Sequence, residues 1–342
     1  MNSRAFITGI SATELGAVER EFIRSERPWG FILFKRNIET PSQVTSLVEE
    51  LRETIEDPEA PVLIDQEGGR VQRLGPPHWP AYPAGAEFGT LYDIDPALGL
   101  SAAQLSARLM AADLTDLGIT VDCLPLADVP VAGADAVIGN RAYGTEPKKV
   151  AAIARAVTQG LEQGGVLPVL KHIPGHGRAT ADTHFRLPQV DTSREELERT
   201  DFAAFKPLAD LPMAMTAHVV FSALDPAHPA TTSATIIQQV IRGVIGFQGL
   251  LMSDDVSMNA LAGPIGERTE AIIAAGCDMV LHCNGNLDEM RSVAWRTPEL
   301  SGEALVRARR ALASRKAPLA FDRPAARAEL AALIDRAGMK SA

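Results

Sequence analysis

Short apolar runs alternate with amphipathic stretches along most of this chain, and nearly every run breaks off at a polar side chain. The runs are Phe6–Gly9, Gly30–Phe34, Pro61–Ile64, Ile119–Asp122, Val166–Leu170, Met213–His218, Gly249–Met252 and Met279–Leu281. Apolar runs of this length, bounded by glycine, proline or polar residues, read as buried strands. Helical patterns stand between them. The first is rich in Glu14, Glu19, Arg20 and Glu21, and the second runs from Pro41 to about Glu53 with Thr40 as its N-cap. Ala97–Leu117, Val150–Glu162, Glu195–Leu208, Ala234–Ile245 (capped by Ser233) and Glu267–Ala275 (closed by Gly276) follow.

Eight alternating β and α units predict an α/β chain folded as a (β/α)8 barrel. The alternative is a doubly wound open sheet with an appended domain. Polar placement decides between them. Arg36, Asp65, Asp122, Lys171, His172, His218, Asp254 and His282 all fall at or just past the end of a run. A barrel gathers such positions at one mouth, whereas an open sheet scatters them. The expectation is therefore one domain over residues 1–342, with about 301–342 forming two partly basic terminal helices packed on it. The cluster Arg307, Arg309, Arg310, Arg315 and Lys316 reads as a solvated helix face.

Composition narrows the partners. The net charge of −10 disfavours a nucleic-acid backbone. No run of eighteen apolar residues is present to span a membrane. The start of the chain lacks a cleavable leader pattern, and Cys123, Cys277 and Cys283 are few and odd in number. A cytoplasmic monomer with a small-molecule partner is expected.

The densest chemistry lies in Lys171–Pro188, which holds Lys171, His172, His176, Asp182 and His184. Gly175 and Gly177 let the backbone turn sharply there. Asp182 and His184 are two residues apart, close enough for a carboxylate to orient an imidazole. So many titratable groups make a site a better reading than a connector. Elsewhere each signal has a plain structural alternative. Asp254 and Asp255 could cap the next turn. Asp65 and Arg73 could form a structural ion pair or hold ligand hydroxyls. The glycines beside them suggest phosphate only weakly, since the P-loop Lys-Ser/Thr is missing. Arg141 sits in a glycine-bounded loop where a solvated arginine is the default. His218 ends an apolar run, where a core histidine and a substrate contact are equally open. The spacing of Cys277, His282 and Cys283 matches no zinc pattern, so no metal is expected.

Taken together, these residues offer a nucleophilic carboxylate and an imidazole acid/base at one mouth, the two roles a retaining glycosidase needs. The unperturbed imidazole pKa of ~6.5 suits proton transfer near neutrality. A metal-dependent amidohydrolase is the rival, but Phe6–Gly9 lacks the His-x-His pair it would use. A non-catalytic sugar-binding barrel would have no need of Asp182, His184 and Asp254 together.

Lys171-His172-Ile173-Pro174-Gly175-His176-Gly177, then Asp182-Thr183-His184 and Ser253-Asp254-Asp255-Val256-Ser257-Met258, resemble glycoside hydrolase family 3, in its bacterial β-N-acetylhexosaminidase branch. Asp65–Arg73, Ile138–Gly144, Met215–His218 and Ala275–Leu281 extend the resemblance over residues 30–283. Ile173 and Thr183 stand where the family more often has Phe and Ser. The resemblance implies a retaining exo-enzyme without a cofactor. Asp254 would be the nucleophile and His184 the acid/base, paired with Asp182. Asp65, Arg73, Arg141, Lys171 and His172 would bind the terminal sugar, and His218 is counted with them. The implied substrate is β-linked N-acetylglucosamine on 1,6-anhydro-N-acetylmuramic acid, with or without a peptide, in cell-wall recycling. Within the family, a phosphorolytic variant is the alternative to hydrolysis, since a neutral histidine repels phosphate less than a carboxylate would.

Overall fold

The computed structural model describes residues 3–179, 181, 183 and 187–336. Eight parallel strands close into a barrel: β1 (Arg4–Gly9), β2 (Pro28–Leu33), β3 (Val62–Ile64), β4 (Val121–Asp122), β5 (Leu167–Ile173), β6 (Met213–Thr216), β7 (Leu250–Asp255) and β8 (Met279–His282). Each lies beside its sequence neighbour, and β8 returns to β1 with Phe6 against Val280 and Thr8 against His282. The expected (β/α)8 barrel is the fold.

The pleat sorts the side chains. Ile7, Ile32, Leu63, Val121, Val169, Met252 and Leu281 point inward and pack together as the barrel interior. Their neighbours Phe6, Phe31, Val62, Leu170, Leu251 and Val280 face outward into the cluster shared with the helices. Both faces are apolar because both are covered, which is why the runs read as continuous rather than alternating.

Helix starts follow their caps. Thr40 Oγ1 accepts from Gln43 N at 3.2 Å ahead of helix Pro41–Thr54, and Asp95 Oδ1 accepts from Ala97 N at 2.9 Å ahead of helix Pro96–Thr115. Such caps contribute about 1 kcal/mol each. At the other end of the chain, Leu300, Ala308 and Ala311 join the interior cluster, so helix Gly302–Ala313 plugs the N-terminal end of the barrel. Arg307 belongs to this plug, since its Nη1 lies 2.9 Å from Asp278 Oδ1. The basic cluster is thus not wholly a solvated face. Helix Arg323–Arg336 docks on Pro96–Thr115, with Arg327 Nη2 2.9 Å from Asp113 Oδ1.

β4 and β6 are shorter than the runs that predicted them, and three further boundaries differ from the sequence expectation in ways that shape the site or its surroundings. β5 runs on to Ile173 and β7 to Asp255, each three residues beyond its apolar run. Lys171 and His172 are therefore inside β5 rather than past it. The backbone goes on pairing there: Lys171 N donates to Pro125 O at 3.0 Å, and Ala127 N donates to Lys171 O at 2.7 Å. Helix Glu195–Leu208 is broken into Arg194–Arg199 and Asp201–Phe205 at Thr200. Thr200 Oγ1 donates to Glu196 O at 2.7 Å while Asp201 turns inward to accept from Arg178 Nε at 2.6 Å. No described helix is long and apolar enough to cross a membrane.

Candidate active site

A cleft of about 340 Å³ opens at the C-terminal ends of the strands. Asp65 follows β3 directly. A short antiparallel ribbon, Gln66–Gly68 with Val71–Gln72, then carries Glu67 into the cleft and returns at Arg73. Its turn requires glycine. Gly68 has φ +88°, and a Cβ there would stand 2.2 Å from Pro83 O. The ribbon is fixed from below, where Asp122 Oδ1 accepts from Gln66 N at 3.0 Å. Burial pushes the Asp122 carboxyl well above its ordinary value. Asp122 is fully buried beneath the ribbon and off the cleft wall.

Three cationic side chains, Lys171, Arg73 and Arg141, meet the carboxylates of Asp65 and Glu67 in one network. Lys171 Nζ lies 2.9 Å from Asp65 Oδ1 and 2.7 Å from Glu67 Oε1. Arg73 Nη2 donates to Asp65 Oδ2 at 2.8 Å. Arg141, delivered by the turn Gly139–Arg141, grips Glu67 with Nε and Nη2, both at 2.8 Å. This fork-to-fork geometry is the strong form of the pair. Burial alone would raise the Asp65 and Glu67 carboxyls, but Lys171 with Arg73 or Arg141 reverses it. Glu67 falls to about 2 and Asp65 well below the carboxylate range. Burial alone would lower Lys171, and the two carboxylates raise it instead.

Beside the network, His172 Nδ1 lies 2.8 Å from Asp128 Oδ2. The other oxygen, Asp128 Oδ1, accepts from His172 N at 3.2 Å and from His176 N at 2.7 Å. The two imidazoles stand 5.5 Å apart, centroid to centroid, and both line the cleft. Burial, then the charge of His172, lowers His176 to about 4, so its ring is neutral above that pH.

The tail of β7 supplies Asp254 and Asp255. Asp255 is tied down: Oδ1 accepts from Ser257 N at 3.0 Å and Cys283 N at 3.1 Å, and Oδ2 accepts from Ser257 Oγ at 2.6 Å. Asp254 differs. Among the described residues its carboxylate accepts one hydrogen bond, from Asp255 N at 2.8 Å, and it lines the cleft. Burial would raise this carboxyl, but His218, His172 and the Asp255 amide hold it below its ordinary value. Among the described residues, no cation lies within bonding distance of it.

The structure thus brings Asp65, Arg73, Arg141, Lys171, His172 and Asp254 to one cleft. His218 stands behind the wall, fully buried; its Nε2 donates to Asp255 O at 3.0 Å and its Nδ1 lies 2.7 Å from Thr231 Oγ1. Arg36 is structural, donating to Ile10 O at 2.8 Å and to Cys283 O. His282 is buried against Glu289. Asp182 and His184 lie outside the described residues. Thr183, between them in sequence, is 2% exposed and lines the cleft, its carbonyl accepting from Ala260 N at 3.1 Å.

Sequence reasoning missed Glu67 and His176 on the cleft wall and Asp128 buried behind it. Glu67 and His176 were in stretches already singled out. Asp128 lies six residues past β4, beyond where a polar strand-end residue would be sought.

Residues 9–305 match the family described as the glycosyl hydrolase family 3 N-terminal domain. A β-hexosaminidase of Alkalilimnicola ehrlichii is 39% identical over 280 residues, covering 81% of this chain and 79% of the relative. One from Xanthomonas campestris pv. campestris is 36% identical over 297 residues, covering 85% and 88%. Among solved structures, NagZ from Neisseria gonorrhoeae in complex with N-trifluoroacetyl-D-glucosamine is similar with a TM-score of 0.86. It is 31% identical, over 100% of this chain and 99% of that one.

Proposed function

The chain belongs to glycosyl hydrolase family 3 and is a β-N-acetylhexosaminidase, and from that premise we propose a retaining exo-enzyme that removes terminal β-linked N-acetylglucosamine. The observation that carries this reading is the contrast within one cleft. Among the described residues Asp254 has no cation partner, while Asp65, Arg73, Glu67, Lys171 and Arg141 are locked together as a polar wall.

In the first step a carboxylate oxygen of Asp254 bonds to the anomeric carbon as the bond to the leaving oxygen breaks. His184 gives that oxygen its proton, with Asp182 orienting the ring. Water then attacks the same carbon, His184 takes its proton, and the ester bond to Asp254 breaks. Inversion at each step gives net retention. Asp65, Arg73, Arg141, Lys171 and His172 hold the sugar hydroxyls. His218 acts through its bond to the Asp255 carbonyl rather than on the sugar itself. Asp255 braces the turn to Cys283 and is not the attacker.

The proposed natural substrate is N-acetylglucosamine on 1,6-anhydro-N-acetylmuramic acid, with or without its peptide, met in the cytoplasm during peptidoglycan recycling. A monomeric, single-domain enzyme is proposed. The β-hexosaminidase relatives and the Neisseria neighbour that holds an N-acylated glucosamine support the sugar.

Initial rates on an aryl N-acetyl-β-glucosaminide and the matching aryl β-glucoside test it, with a chelator present. Strong preference for the acetamido sugar is expected; equal turnover of both, or of neither by folded protein, contradicts it. His184→Ala should harm poor leaving groups far more than activated ones, and equal losses would remove its acid role.

A further inference from the structure

We propose that Asp128 is a positioning residue that fixes which nitrogen of His172 carries hydrogen, and thereby makes the site a reader of a sugar hydroxyl. The inference rests on the reading above, in which Lys171 and His172 hold the terminal sugar.

Asp128 is fully buried, and its three contacts leave little freedom. Oδ1 accepts from two backbone amides, His172 N at 3.2 Å and His176 N at 2.7 Å. Oδ2 faces His172 Nδ1 at 2.8 Å. Burial would raise this carboxyl, but the neighbouring His172 and His176 bring it to about 2, so it is ionised and can only accept. Nδ1 therefore carries the hydrogen, and in the neutral ring Nε2 is an acceptor on the cleft wall. The adjacent Lys171 ammonium, held by Asp65 and Glu67, can only donate. A donor and an acceptor on the wall of one cleft suit a group that does both. A hydroxyl fits; an ether or a carboxylate does not.

Asp128→Asn tests this at nearly constant shape. The amide oxygen stays with the two backbone N–H groups, so its NH2 is turned to Nδ1, which must then accept. The hydrogen moves to Nε2, and two donors now face the sugar. The same inversion follows when the orienting aspartate of a serine protease is made asparagine.

The measurement is 15N NMR of histidine-labelled protein, with the His172 signals identified by their loss in His172→Ala, beside kcat/KM on the aryl N-acetyl-β-glucosaminide. Expected are Nδ1–H in the wild type, Nε2–H in Asp128→Asn, and a fall in kcat/KM on the order of 10- to 100-fold without a large loss of Tm. Wild-type protein with the hydrogen on Nε2 overturns the proposal whether or not the variant folds. Inversion with unchanged kcat/KM also overturns it. His172→Ala separates the two levels. If it collapses activity while Asp128→Asn does not, the inference alone fails; if it leaves activity intact, the sugar-binding assignment fails and takes the inference with it.

Discussion

The carboxylates of the cleft fall into two regions that share a burial pattern but not a chemistry. On the β3 side, Asp65 and Glu67 meet Lys171, Arg73 and Arg141 at 2.7–2.9 Å. At the end of β7, Asp254 has a backbone amide and no cation among the described residues within bonding distance. Paired charges are fixed before any ligand arrives, which suits recognition of a polyol. An ionised carboxylate without a partner keeps its nucleophilicity, and its attack breaks no existing ion pair. The neighbouring Asp255 sharpens the point, because it is one residue away and fully occupied by Ser257 and Cys283. Burial alone does not distinguish a binding carboxylate from a reacting one; the partners do.

The largest expected effect breaks this contrast on the reactive side. Asp254→Ala should lower kcat by about 10³-fold or more while leaving the unfolding midpoint unchanged or raised. Near-normal turnover would end the assignment. On the binding side the order reverses. Lys171→Met removes the cation shared by two carboxylates with low exposure, and should cost about 3–5 kcal/mol of stability, read from urea unfolding. A stability loss no larger than that of Asp254→Ala would show that the two regions are not built differently. Asp255→Asn keeps acceptors for its two backbone amides and should cost only about 1–2 kcal/mol, with kcat reduced far less than in Asp254→Ala. Equal losses of kcat in the two variants would put the attacker in doubt.

The smallest effect is on pH dependence. The Glu67 carboxyl is depressed in the fold, from 4.5 to about 2. Its stabilising contribution is therefore fully present above the unfolded value and is lost as pH falls through this window toward the folded one. Glu67→Gln should flatten the acid limb of stability against pH there. An acid limb as steep as that of the wild type would mean the network does not hold Glu67 ionised.

The barrel was legible because both faces of each strand are buried, and the apolar runs therefore stand out from their polar ends. Asp65, Lys171, His172 and Asp254 were legible for the same reason, as polar residues where apolar runs stop, whereas Arg73 and Arg141 stand in glycine-containing loops and were picked out as sugar-binding by the family resemblance. What periodicity cannot show is where pairing continues after apolarity ends. β5 and β7 each keep their backbone bonds for three more residues, and those residues include Lys171, His172, Asp254 and Asp255. Nor does a one-dimensional pattern reveal partners distant in sequence. Asp128 meets His172 across 44 residues, and Glu67 meets Arg141 across 74. The break at Thr200 was hidden because Asp201 is pulled inward by Arg178, a contact with no local signature.

The central claim is that Asp254, and not its bound neighbour, forms the bond to the sugar. A slow fluorinated N-acetylglucosaminyl substrate with an activated leaving group would hold the enzyme at the ester stage, and peptide mapping by mass spectrometry would locate the adduct. The account predicts one sugar per chain on Asp254, absent from Asp254→Ala. An adduct on Asp255 or another residue, or turnover with an inverted product and no adduct, would contradict it.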